Sequence, residues 1–232
     1  MAKGNQKKKL AMGTIMLIAF FAVLVLIFLP IFGNGNNGLN YMDNLYNSIS
    51  KASAYYIPGV QKDAEKFLGR PVEMTLTLPD EATAAMGAKL VTVAQGQVEQ
   101  KGDTLTVKAG LGKMLMSSLS DSDAMFHNQA DKIAARYPDL KPREVVFTWW
   151  QMLKAMEKSL NKQELFPEAK FAGTVMQRAV EPAYNYYGIV PESIGERWGL
   201  VVVSLIFYVV YTVWYGFAVM FIFEGIGMQL EH

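Results

Sequence analysis

Leu10 to Phe32 and Leu200 to Phe223 are almost wholly apolar and free of charge, and the long stretch between them mixes polar and apolar positions throughout. At about 1.5 Å of rise per residue, either apolar run can cross a hydrocarbon core of about 30 Å as a helix. The pattern predicts a membrane-anchored α+β protein. Two transmembrane helices, 10–32 and 199–223, flank one folded domain, 33–198. A basic segment, 1–9, precedes the first helix and a short tail, 224–232, follows the second.

Within the central domain, Gly33 to Gly38 reads as a turn-rich hinge. Met42, Leu45, Tyr46, Ile49, Ala52, Ser53 and Tyr56 then recur at helical spacing, with Pro58-Gly59 as the stop. Val60, Ala64, Phe67 and Leu68 predict a short second helix closed by Gly69. Val72 to Leu78 alternates as a half-buried strand, and Pro79-Asp80-Glu81 opens a helix with acidic residues suited to its dipole. Gln97–Gln100 and Thr104–Val107 flank Lys101-Gly102-Asp103, a hairpin signal. The order strand, helix, hairpin predicts a small three-stranded sheet.

Leu111, Met114, Leu115 and Leu119 start the helical remainder. Phe126, Ala130, Ile133, Ala134 and Tyr137 form a further stripe. Another contains Val146, Trp149, Trp150, Leu153, Met156 and Leu160. A last one, Ala172 to Val180, meets Glu181-Pro182, where proline should break or kink it. The domain is long enough for a core of its own, and its class is helix-rich α+β.

Charge orients the chain. Lys3, Lys7, Lys8 and Lys9 crowd the start of the first span, and basic residues beside a span are retained in the cytoplasm. Both termini are therefore expected in the cytoplasm and the central domain outside. The first apolar run is longer than a signal-peptide core and no small-x-small cleavage site follows it, so it is expected to stay as an anchor. The chain has no cysteine, which removes disulfides, thiolate nucleophiles and Cys-ligated metal centres. These features together suggest a bacterial inner membrane with a periplasmic domain. From Gly33 to Arg197 there are 18 basic and 19 acidic residues, a balance that gives no nucleic-acid footprint.

Candidate chemistry is sparse. His127, between Asp123 and Asp131, is read as a paired structural histidine, because a base or metal ligand needs partners. Ser120-Asp121-Ser122-Asp123 lacks the glycine and distal glutamate of a calcium loop and is read as a helix cap. Trp149 and Trp150 fit a buried stripe. Neither span contains histidine, so bis-His haem is not expected within them. No catalytic residue, cofactor or metal is expected.

Two groups stand out as candidate interfaces. Ser204, Tyr208, Tyr211, Thr212 and Tyr215 share one side of the second span, and hydroxyls in lipid want partners. The first span offers them no side-chain acceptor beyond Thr14, which points to another subunit. Tyr184, Tyr186 and Tyr187 cluster just after the expected helix break, where Tyr suits an interface. The functional expectation is a non-catalytic accessory or scaffold subunit of a larger membrane complex. Its partners would be other membrane-protein subunits and the lipid bilayer. The alternative is a periplasmic ligand-sensing domain that signals through a partner membrane protein. An enzyme acting on envelope material is the third reading, disfavoured because neighbouring carboxylates such as Asp80/Glu81 have cap geometry and do not face each other across a cleft.

Overall fold

The computed structural model describes residues 3–33 and 35–228. Asn34 of the expected hinge, the Lys3 side chain and the 229–232 end of the expected tail, with His232, lie outside the described residues. In chain order the elements begin with α1 (Lys3–Phe28), α2 (Gly38–Ser53), α3 (Ile57–Ala64), a 3-10 turn, β1 (Pro71–Thr77) and α4 (Glu81–Val93). A hairpin of β2 (Gln97–Lys101) and β3 (Thr104–Gly110) follows, then α5 (Leu111–Phe126), α6 (Ala130–Arg136) and α7 (Pro142–Lys162). The chain continues through α8 (Phe166–Val175), a π turn (Met176–Val180), α9 (Glu181–Asn185) and α10 (Ile194–Gly225).

The chain divides into two compact units, Met1–Ile49 with Glu192–His232 and Ser50–Pro191. The expected 33–198 domain is thus longer at both ends than the second unit.

In the first unit, α1 and α10 are both long and apolar enough to cross a membrane. They lie antiparallel, with Leu10 beside Gly225, Gly13 beside Ala218 and Ile222, and Phe20 beside Tyr211. Glycine permits this approach. A Cβ on Gly13 would stand 2.7 Å from the Ile222 nitrogen and 2.8 Å from the Ala218 oxygen. On Gly225 it would stand 2.5 Å from the Leu10 nitrogen. Lys9 Nζ and Glu224 Oε2 pair at 2.8 Å near that end. Helix α1 stops at Phe28, short of the expected Phe32, because the residue before Pro30 is driven out of the helical region.

The second unit has a closed core. Its antiparallel sheet runs β1-β3-β2, with Met74 opposite Val107 and Leu76 opposite Leu105, all four buried. Gly102, at φ +61°, starts the tight turn between β2 and β3, as the hairpin signal predicts. Helices α4 and α7 cover the sheet. Gly87 on α4 is where they close in, since a Cβ there would meet Met152 Sδ at 2.8 Å and Leu105 Cδ1 at 3.1 Å. The Asp80 side chain caps α4 by accepting from the Thr83 N–H at 2.7 Å.

Several local expectations fail for identifiable reasons. Pro58 opens α3 instead of stopping α2, since proline's missing N–H costs nothing in a first turn. The stripe from Phe126 to Tyr137 is interrupted at Asn128, whose φ is +59°. Ser120 to Asp123 lies inside α5 and caps nothing. Pro182 does not break its helix either. The preceding π turn absorbs one extra residue, with the Glu181 N–H donating to the Met176 carbonyl, and the chain stays helical through α8 and α9.

Candidate functional site

The most buried acid is accounted for by structure. Asp121 is 1% exposed, and one of its oxygens accepts from Tyr137 Oη at 2.9 Å and Trp149 Nε1 at 2.8 Å. The other pairs with Arg136, which also donates to Ser117 Oγ at 2.8 Å. Burial pushes the Asp121 carboxyl above its usual value, against the opposite pull of the Trp149 bond and the Arg136 charge. His127 ends α5 with Nδ1 at 2.9 Å from the Asp123 carbonyl and 3.4 Å from Asp123 Oδ1. Asp123 also accepts from Tyr55 Oη at 2.7 Å. Asp121 thus ties α5 to α6 and α7, while His127 closes the last turn of its own helix and Tyr55 reaches it from the segment between α2 and α3. Among the described residues no three His, Asp or Glu side chains gather in metal-ligand geometry.

The hydroxyl face of α10 splits into engaged and free members. Tyr211 Oη donates to the Phe20 carbonyl at 2.8 Å, and the two rings stack at 4.1 Å. Ser204 Oγ lies 2.7 Å from Tyr46 Oη and donates to the Val201 carbonyl at 2.8 Å. Thr212 Oγ1 donates to the Tyr208 carbonyl at 2.7 Å. Helix α1 supplies the acceptor from its backbone: a carbonyl in an aliphatic helix still accepts through its second lone pair. Tyr208 and Tyr215, by contrast, are 68% and 46% exposed, and among the described residues neither hydroxyl has a hydrogen-bond partner.

The tyrosine cluster also divides. Tyr186 and Tyr187 are half-buried and pack against the core of the second unit. Tyr184 lines a concavity of about 160 Å³ with Val146, Phe147, Trp150, Val180 and Glu181. Trp149 is fully buried, but Trp150 is not: it faces this groove, its Nε1 donating to Glu181 Oε1 at 2.9 Å. Adjacent residues on a helix are about 100° apart, so one tryptophan enters the core and its neighbour reaches the surface. The Phe147 ring stacks on Trp150 at 6.0 Å and leans on Tyr184 at 5.9 Å. The Arg143 guanidinium sits 4.8 Å from the Tyr184 ring centre, and Lys154 Nζ sits 5.0 Å from that of Trp150.

One buried charge carried no signal in the sequence. Lys51 is 1% exposed and donates to the carbonyls of Ile189 at 2.6 Å and Tyr186 at 3.0 Å. Asn128 completes the knot, with its side chain donating to the Ile189 carbonyl and accepting from the Gly188 N–H.

No family model matches this chain, and neither a curated protein nor a solved structure matches it.

Proposed function

We propose that this protein is a non-catalytic accessory or scaffold subunit of a bacterial inner-membrane complex. In this reading α1 and α10 form a two-pass hairpin with both termini in the cytoplasm. The second unit lies in the periplasm. The carrying observation is the pair of exposed phenols, Tyr208 and Tyr215, on a helix whose neighbouring hydroxyls Ser204, Tyr211 and Thr212 are already engaged. A phenol in the hydrocarbon region is best placed against another helix, which can accept its hydrogen bond. Antiparallel packing of the two apolar helices and the lysines at the start of α1 support the orientation. The buried acid Asp121 is held between helices by Arg136, Tyr137 and Trp149, and His127 is held against the last turn of its own helix, which suits a structural part. The test is purification in mild detergent after crosslinking. Wild type should carry a partner, and Tyr208→Leu with Tyr215→Leu should lose it. A chain that always runs alone would overturn the proposal.

A second reading, a ligand-sensing domain that signals through a partner, is favoured by the Lys51 knot. Tyr184 and Asn185 of the groove directly precede Tyr186, and Lys51 and Ile189 stand beside the two chain ends of the second unit. Occupation of the groove would then reach both ends. A small molecule that raises the melting temperature of wild type and not of Trp150→Phe would favour this reading.

A further inference from the structure

Helix α7 presents two aromatic rings flanked by cations on its outer side. Arg143, Phe147, Trp150, Lys154 and Lys158 fall within about 80° of one another at 3.6 residues per turn. Among the described residues no ion pair joins the acidic residues of α7 to this stripe. Glu144 pairs with Lys141 at 3.3 Å, and the Glu157 carboxylate is turned to Gly173, where an added Cβ would lie 3.2 Å from it. The groove beside the stripe is walled by Val180, Glu181 and Tyr184 from the π turn and α9.

Its size and polarity constrain the occupant. A volume of about 160 Å³ is well below the roughly 300–1,000 Å³ of pockets that enclose a whole small-molecule ligand. It suits one bulky side chain. Phe147 remains 45% exposed at the mouth, and half-open aromatic pockets of this kind accept the anchor residues of protein interfaces. Three rings and a carboxylate would also suit an organic cation. Here, however, Tyr184 and Trp150 already carry the Arg143 and Lys154 cations on their faces, and Glu181 is engaged by the indole N–H. An incoming cation would meet Arg143 and Lys154 against the single carboxylate of Glu181, so the net charge around the groove is positive and favours an incoming carboxylate.

We propose that this groove docks an acidic segment of a partner protein, with one bulky apolar side chain seated among Phe147, Trp150 and Tyr184 and flanking carboxylates on Arg143, Lys154 and Lys158. The proposal rests on the reading of the chain as an accessory subunit and names the chemistry of what its second unit holds. A concave seat favours a peptide over a flat anionic lipid surface, and the cationic rim supplies orientation and on-rate.

The probe is a fluorescein-labelled pentapeptide with one phenylalanine between two pairs of aspartates, titrated against the full-length protein in neutral detergent micelles and followed by anisotropy. Saturable binding is expected. It should weaken at least tenfold in Arg143→Glu with Lys154→Glu, and in Phe147→Ser, and should weaken with added salt. Should the charge reversal unfold the unit, Arg143→Gln with Lys154→Gln is the milder variant, expected to weaken binding in the same direction. Phe147→Leu should retain binding. Absence of saturable binding, equal binding by the charge variants, or equal binding of a peptide with lysines replacing the aspartates would overturn the proposal. So would capture by anionic-lipid vesicles through the same cations without peptide binding. Partner recovery through α10 is scored separately. A protein that carries its partner but ignores the peptide sinks the groove alone, and one that binds the peptide but never carries a partner sinks the subunit reading.

Discussion

In the second unit Met74, Leu76, Leu105, Leu115 and Trp149 are all closed off from solvent, whereas along α1 and α10 Ile15, Ile18, Val203 and Tyr208 are each more than half exposed. The first arrangement is what water selects, because removing apolar area from water is the main favourable term in folding. The second would leave a large apolar patch on a protein standing alone in water. Its helices meet through glycine and backbone: Gly13 against Ala218 and Ile222, Gly225 against Leu10, and Tyr211 against the Phe20 carbonyl. Contacts of that kind hold helices together where no hydrophobic gain is on offer, as between lipid tails. The contrast is between a unit that encloses its apolar side chains and a helix pair that leaves them exposed.

The largest effect is a separation of the units. Ser50–Pro191 should be soluble in plain buffer and unfold in one cooperative transition, while chains carrying α1 and α10 should need detergent. Aggregation of Ser50–Pro191 in every buffer would erase the contrast, since its core would then depend on the helix pair.

Next, Asp121→Ala should destabilise the second unit by about 1–3 kcal/mol, because the Trp149 and Tyr137 donors lose their buried acceptor and Arg136, a third exposed, loses its partner. Chemical denaturation would read this, and a loss below about 1 kcal/mol, the size of an ordinary surface pair, would mean the network is slack.

In the helix pair the equivalent disruption is steric. Because the chain lacks native cysteine, Lys9→Cys with Glu224→Cys gives a clean disulfide reporter at a place where side chains already meet. Adding Gly13→Ile should slow oxidation of that pair at least tenfold. An unchanged rate would show that the helices touch elsewhere. Tyr211→Phe should cost only about 0.6 kcal/mol, the average for interhelical hydrogen bonds in membranes. Refolding titrations in micelles should barely resolve it.

The smallest effect is a pH dependence. Burial lowers Lys51 from its ordinary value of 10.5, so the ammonium form is less favoured in the folded chain than in the unfolded one. Its contribution to stability is therefore complete above pH 10.5 and is lost as pH falls through the folded value. In that alkaline window, rising pH should stabilise wild type relative to Lys51→Met. A parallel pair of pH profiles would contradict the assignment.

Much of the architecture is legible along the chain. Two apolar runs, the Asp80 cap, the Gly102 turn and the stripe of α7 are local or periodic signals, each expressing a dihedral preference or a one-sided burial. The candidate surfaces were legible only in part. Tyr208 and Tyr211 have the same chemistry and share a face, yet the Phe20 carbonyl engages one and leaves the other free. Trp149 and Trp150 are identical neighbours, one buried and one lining a groove. Ser120 to Asp123 resembles a cap because polar residues rarely enter a core, and here Asp121 does so with its partners already waiting.

By itself the sequence determined most of the elements, a small three-stranded sheet and the presence of two helices long and apolar enough to span a membrane. Tertiary structure alone decided which polar groups pair. Asp121 meets Trp149 across 28 residues of sequence, and Lys51 meets Ile189 across 138. A residue's own type states that a buried charge needs a partner. Which distant atom becomes that partner depends on how complete helices pack, and no short stretch of chain encodes that distance.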